Sequence, residues 1–183
     1  MRLSADKDCC AARSRSNKII GVRSMLIRTY ERRDAPAIVR LFYQTIHAIN
    51  SNDYSEEQLL AWAPEIPDPD IWHSRMVRRC TLVAEAEDQV IAFAELEQDC
   101  HLDMFYCHKD AVGHGIGRLL FQAIELKAVE TGIERIFAEV SITAKNFFEH
   151  CGFLVKMQQI VARRGVELPN FVMEKKLSSS GGF

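Results

Sequence analysis

The chain has 183 residues, 48% hydrophobic and 26% charged, with a formal net charge of −2, which fits one ordinary globular domain with enough apolar material for a core. No run approaches the roughly 18 apolar residues of a membrane span, and the N-terminus lacks the apolar stretch of a signal peptide, so a cytoplasmic protein with no membrane partner is expected. Six cysteines without C-x-x-C or zinc-type spacing read as reduced thiols rather than metal ligands.

Charge is uneven. Residues 1–25 carry six Lys/Arg against two Asp, a local +4, and the remainder carries −6. A basic, Ser-rich head without aromatic residues cannot bury enough apolar surface to order itself. Residues 1–25 are therefore expected to be a disordered extension, 26–177 a single domain, and 178–183 a flexible tail. A nucleic-acid tether through the head would rest on charge alone, and no nucleic-acid partner is expected.

In chain order, Leu26 to Tyr30 reads as a strand. Asp34 caps a helix through about Asn50, whose Ile38, Leu41, Phe42, Thr45, Ile46 and Ile49 share one face. Ser55-Glu56-Glu57-Gln58 opens a second helix with a capping box, and a third spans Asp70 to Arg79. Strands follow at Thr81–Ala86, Val90–Glu97 and His101–Cys107. A helix from Gly115 to Glu130 stops at Gly132. Ile136 to Val140 is a strand, Ala144 to Cys151 a helix ended by Gly152, and Leu154–Ala162 with Asn170–Lys176 a closing hairpin.

The most informative stretch is Phe105-Tyr106-Cys107-His108-Lys109-Asp110-Ala111-Val112-Gly113-His114-Gly115-Ile116-Gly117-Arg118. A strand leads through a glycine turn into a helix, whose free N–H groups and dipole suit a pyrophosphate. A dinucleotide fingerprint would need glycine at 118, where Arg118 stands, and a P-loop would need G-K-[ST], which is absent. The frame resembles the acetyl-CoA-binding motif of the GNAT N-acetyltransferase superfamily, with Lys109 in place of a frequent proline and Val112 in place of the usual Arg or Gln. A second block, Ser141 to Phe153, is similar to the family's N-x-x-A-x-x-x-Y-x-x-x-G-F, with Ser141 at the Asn position and Phe148 at the Tyr position. The run Tyr54 to Ala63 and the later Ser-Ile-Thr-Ala-Lys resemble a bacterial subgroup of small GNAT proteins.

The resemblance implies an α/β (α+β) fold: a central mixed, mostly antiparallel twisted sheet with splayed parallel central strands and helices on both faces. It implies an N-acetyltransferase that moves the acetyl group of acetyl-CoA to a small-molecule or peptide amine by direct attack, with no metal; family members are often homodimers. Cofactor contacts are implied at Phe105, Tyr106, Cys107, Val112, Gly113, His114, Gly115, Ile116, Gly117, Arg118 and Phe148. Transfer to an amine needs a proton acceptor, because an alkylammonium titrates near about 10.4. His101 and Asp103, two apart on one strand, share a face and are the candidates, with Glu95 and Glu97 behind them. A backbone N–H within 105–107 is the oxyanion candidate. Ser141 and Tyr106 are candidate acids, although a thiolate can leave unaided. Tyr54, Trp62 and Glu95 are candidate acceptor-binding residues, with Trp62 and Trp72 equally readable as helix-packing anchors. The rival reading is a non-catalytic acetyl-CoA-binding sensor, kept open by Val112 and Phe148.

Overall fold

The computed structural model describes residues 25–177; the expected basic head and Ser-rich tail lie outside the described residues, apart from Met25. Strand β1 (Met25–Thr29) leads into α1 (Ala35–Ile49), α2 (Glu56–Trp62) and α3 (Pro69–Met76). Strands β2 (Cys80–Ala86), β3 (Gln89–Leu96) and β4 (Leu102–Cys107) precede α4 (Ile116–Glu130), β5 (Arg135–Ser141), α5 (Lys145–His150), β6 (Leu154–Arg163) and β7 (Val166–Lys176).

The strands form two antiparallel sheets, ordered β1-β2-β3-β4 and β5-β7-β6. A single parallel bridge, His101 to Phe137, joins them, reinforced by the Phe137 N–H donating to the Cys100 carbonyl at 3.1 Å. Beyond that bridge β4 and β5 part. The implied fold therefore stands, with the splayed parallel pair reduced to one rung.

Helices cover both faces because two separate apolar stripes need burial. On one face α4 presents Ile116, Leu120, Phe121 and Ile124 to Ala92, Ala94, Ile136 and Ala138. Phe121 joins Phe105, Phe147, Phe148 and Phe153 in edge-on and stacked pairs 5.0–6.5 Å between centroids; such pairs each add about 0.5–1.5 kcal/mol beyond their buried area. On the other face α1, α2 and α3 enclose Val83 and Phe93 with Phe42, Leu59 and Trp72. Trp72 is thus a packing anchor, with the Arg75 guanidinium 4.5 Å over its ring.

Local signals explain the boundaries. Ser55 and Gln58 exchange the reciprocal bonds of a capping box at the start of α2. Helix α3 begins at Pro69, capped by Asp68, one residue before the expected Asp70, and ends at Met76 rather than Arg79. Asp34 precedes α1 as expected but does not cap it: its carboxylate accepts the Glu31 N–H and pairs with Arg28. Strand β6 is an outer edge, with Leu154, Met157 and Ile160 exposed.

Candidate active site

The gap between β4 and β5 is the site's main axis. Residues 104 and 106 on β4 lie opposite Glu95 and Phe93, and the His108 N–H donates to the Ile91 carbonyl at 2.8 Å. By the alternation of an antiparallel ladder, the backbone groups of Phe105 and Cys107 then point away from β3, into the gap. Two N–H and two C=O groups form an open edge, the arrangement an extended amide-bearing ligand can pair with. One is engaged: Thr45 Oγ1 donates to the Cys107 carbonyl at 2.9 Å.

The gap widens into a cavity of about 360 Å3 that runs from the glycine turn to α1 and α2. At one end Gly113 (φ +83°) and Gly115 (φ +79°) hold left-handed conformations, and a Cβ on either would meet no atom within 4 Å. The turn is therefore glycine for its backbone, and it leaves the first N–H groups of α4 facing open space. Gly117 has a different reason: a Cβ there would lie 3.1 Å from the Phe147 ring and 3.4 Å from Cys107 Sγ, so its absence lets α4 approach β4 and α5. Val112, Gly113, Gly115, Gly117 and Arg118 line this end, and Arg118 is the cation among the described lining residues. Ile116 is buried in the core and offers only backbone; the exposed His114 bonds back to the Val112 carbonyl. These groups suit a pyrophosphate followed by an amide-bearing arm.

The opposite end is acidic. Asp103 and Glu139 both line the cavity. A bulge between Glu95 and Leu96 on β3 leaves Asp103 as an extra residue on β4, and its carboxylate takes the Arg79 guanidinium at 2.5 Å. Arg79 also pairs with Glu97 and, at 3.4 Å, with Glu95. His101 stands behind this group: Nδ1 is 3.4 Å from Glu97, Nε2 is 3.8 Å from Glu139, and its ring stacks on Phe137 at 4.7 Å. His101 and Asp103 do face one side, but only Asp103 reaches the cavity wall.

Several expected contacts are corrected. Glu95 is fully buried and absent from the cavity wall; it pairs with Arg75 at 3.1 Å, and burial raises its carboxyl above the ordinary range. Tyr54 does not line the cavity: its hydroxyl donates to the Pro169 carbonyl and accepts the Ile142 N–H, so it ties the turn after α1 to β5 and β7. Phe148 is 4% exposed and belongs mainly to the aromatic core, touching the cavity with one side. Trp62 and Tyr106 do line the cavity, and burial drives the Tyr106 phenol well above its usual range. Ser141 lines the cavity while its Oγ accepts the Ala144 N–H at 3.1 Å. Cys107 is pushed up to about 12 by burial, so its thiol stays protonated.

Glu139 escaped the sequence reading because it alternates with buried Ile136, Ala138 and Val140 and so reads as a solvent-facing strand position; the splay of β5 turns that position into a cavity wall. Among the described residues no cluster of three or more His, Cys, Asp or Glu could hold a metal ion, and no helix is long and apolar enough to cross a membrane.

Comparison with known proteins agrees with this geometry. Residues 50–177 match the family described as an acetyltransferase (GNAT) domain. An uncharacterized N-acetyltransferase of Escherichia coli K12, YafP, is 28% identical over 155 residues, covering 85% of this chain and 98% of that protein. A GCN5-related N-acetyltransferase from Rhodopseudomonas palustris superposes with a TM-score of 0.80 at 32% identity, over 86% of this chain and 99% of that one. The Salmonella typhimurium acetyltransferase yncA, solved with acetyl-CoA, shares the fold at 19% identity and a TM-score of 0.66, over 87% and 97% of the two chains. With an open β4 edge, a glycine turn at α4 and a family match over most of its length, the chain belongs to the GNAT family of acetyl-CoA-dependent N-acetyltransferases.

Proposed function

We propose that the protein transfers the acetyl group of acetyl-CoA to a primary amine by direct attack, both substrates being held at once in the gap between β4 and β5. The observation that carries this reading is one continuous cavity with an anion-binding glycine turn at one end and two carboxylates, Asp103 and Glu139, at the other. An anionic cofactor and a cationic acceptor then enter from opposite ends.

The N–H groups of residues 113–118 take the pyrophosphate, and the gap-facing groups of Phe105 and Cys107 pair with the pantetheine amides. Phe105 N–H is the donor aimed where an oxyanion would form. As the amine nitrogen bonds the thioester carbon, the C–S bond breaks and the sulfur leaves as thiolate, with Ser141 and Tyr106 as cavity-lining hydroxyls on the acid side of the reaction. Burial holds the Tyr106 proton tightly, which makes its phenol a weak acid towards the thiolate and leaves water as the ready proton source.

The proton of the acceptor ammonium leaves through the acidic wall. Asp103 is held by Arg79 and acts as a fixed anion that orients the ammonium. Among the described residues Glu139 has no guanidinium partner; its neighbours are Gln159 at 3.3 Å and His101 at 3.8 Å. It accepts the proton, directly or through water, and His101 passes it on towards Glu97. Calorimetry with acetyl-CoA, followed by thiol release across a panel of amines, tests the assignment: micromolar binding with thiol release dependent on an added amine is expected, and binding without release under any amine would leave a cofactor sensor instead.

A further inference from the structure

The edge of β5 that faces the gap is open as well. Leu177 N–H donates to the Glu134 carbonyl at 2.8 Å, continuing the register that sets Arg135 opposite Lys176, so 134 and 177 are a bonded pair of the β5–β7 ladder. Phe137 N–H turns the other way, to the Cys100 carbonyl at 3.1 Å. Both bonds fix one alternation: residues 136, 138 and 140 bond to β7, and the main-chain groups of Phe137, Glu139 and Ser141 point into the gap. Phe137 is taken up by the bridge to His101, and the Ser141 carbonyl accepts the Ala144 N–H at 3.2 Å. The Glu139 N–H and C=O are left without a main-chain partner among the described residues.

The parallel bridge places these groups along the cavity. With His101 level with Phe137, Asp103 is level with Glu139 and Phe105 with Ser141. The glycine turn lies beyond Cys107, at the other end. A ligand arm coming from that turn meets Cys107 and Phe105 first. The Glu139 main chain comes one step later, about 7 Å or two residues of strand further on, beside the two carboxylates that line the cavity.

An unpaired N–H and C=O on one strand residue match the C=O and N–H of one residue of an extended peptide. A simple alkylamine offers neither and leaves both groups to water. Two extended residues span the distance from this pair back to the level of Phe105, and the four-carbon stem of a lysine has a similar reach.

We infer that the Glu139 main chain is an acceptor-docking edge, and that the acceptor is a primary amine carried on an extended peptide segment, which adds to β5 as a short strand. This rests on the amine-acetylation reading and narrows its substrate class.

The probes are Ala-Ala-Ala-amide with a free N-terminus, the same peptide N-methylated at residue 2 or at residue 3, and n-propylamine, each followed by thiol release at fixed acetyl-CoA. The parent peptide is expected to exceed n-propylamine by about tenfold in kcat/KM, and one of the two N-methyl groups should erase that advantage by removing a backbone donor. N-acetyl-Ala-Lys-Ala-amide, with N-methyl groups at the same two positions, forms a second arm: the series that shows the advantage and its loss tells whether the α-amine or a lysine side chain is the source. Equal handling of n-propylamine and both parent peptides, or a peptide advantage that no N-methyl group reduces, overturns the inference. Calorimetry of the peptides against the CoA complex separates it from the reaction itself. Peptide binding that one N-methyl group abolishes, without thiol release, removes the acetyl-transfer reading and keeps the inference. Thiol release that is equal for n-propylamine and the peptides keeps acetyl transfer and sinks the inference, as does binding of no peptide.

Discussion

Thr45 Oγ1 donates to the Cys107 carbonyl across 2.9 Å, tying the C-terminal third of α1 to the last residue of β4 at the gap between β4 and β5. The carbonyl keeps a second lone pair for a ligand amide. Thr45→Val removes the donor at nearly constant volume, at a cost of about 1 kcal/mol. Thermal denaturation should show a drop of about 2–4 °C for a domain of this size, and an unchanged melting temperature would mean the bond contributes nothing net.

The two kinds of glycine at the α4 start should respond differently. Gly115→Ala meets no neighbour but must hold φ near +79°, a strain of about 1–2 kcal/mol, so CoA affinity should fall as the turn relaxes away from its cradle shape. Gly117→Ala keeps a helical backbone but presses on Phe147 and Cys107, so its effect should be on stability and on the width of the gap. Calorimetry and melting curves on both variants check the contrast; equal loss of both properties in both would contradict it.

Glu139→Gln keeps the shape of the side chain and removes the proton acceptor. A drop in kcat/KM of about 10²- to 10⁴-fold is expected, with acetyl-CoA affinity preserved. His101→Ala should lower kcat less, because the carboxylate remains. Asp103→Asn should act mainly on the amine KM. Full activity in Glu139→Gln at neutral pH would return the role to Asp103 or His101.

Acid stability should follow Asp34. Burial works against its charge, but the Arg28 guanidinium at 2.7 and 2.8 Å and the Glu31 N–H hold its carboxyl below the ordinary 3.8. A depressed folded value adds stability that is present above the unfolded value and lost as pH falls through the folded one. Wild-type protein should therefore lose stability below about pH 4, and Asp34→Asn should flatten that dependence while costing about 1–3 kcal/mol at neutral pH, because Arg28 loses one of its two carboxylate partners and keeps Glu85. Urea titrations at pH 3.5 and 7 give both quantities.

The sequence carried the glycine turn because its chemistry is local: only glycine holds φ near +80° without strain, so Gly113 and Gly115 announce the backbone they need. The succession of strands and helices along the chain and the apolar face of α1 were readable for the same reason, each being a pattern within one segment. The acidic wall was not. Asp103 gains its place from a bulge that exists only through pairing with β3, and Glu139 becomes a wall residue only because β5 diverges from β4. Tyr54 misled in the opposite direction: a tyrosine in a polar turn reads as a ligand contact, and only the distant Pro169 and Ile142 reveal it as a tie.

The single His101–Phe137 rung leaves the molecule as two half-sheets riveted at one end. A ligand that bonds to Phe105 and Cys107 on one half while touching Ala138, Val140 and Phe147 on the other would act as the missing seam. On the proposed reading, loading the cofactor would then also be an act of assembly, because the amides that pair with it would stitch the two half-sheets together.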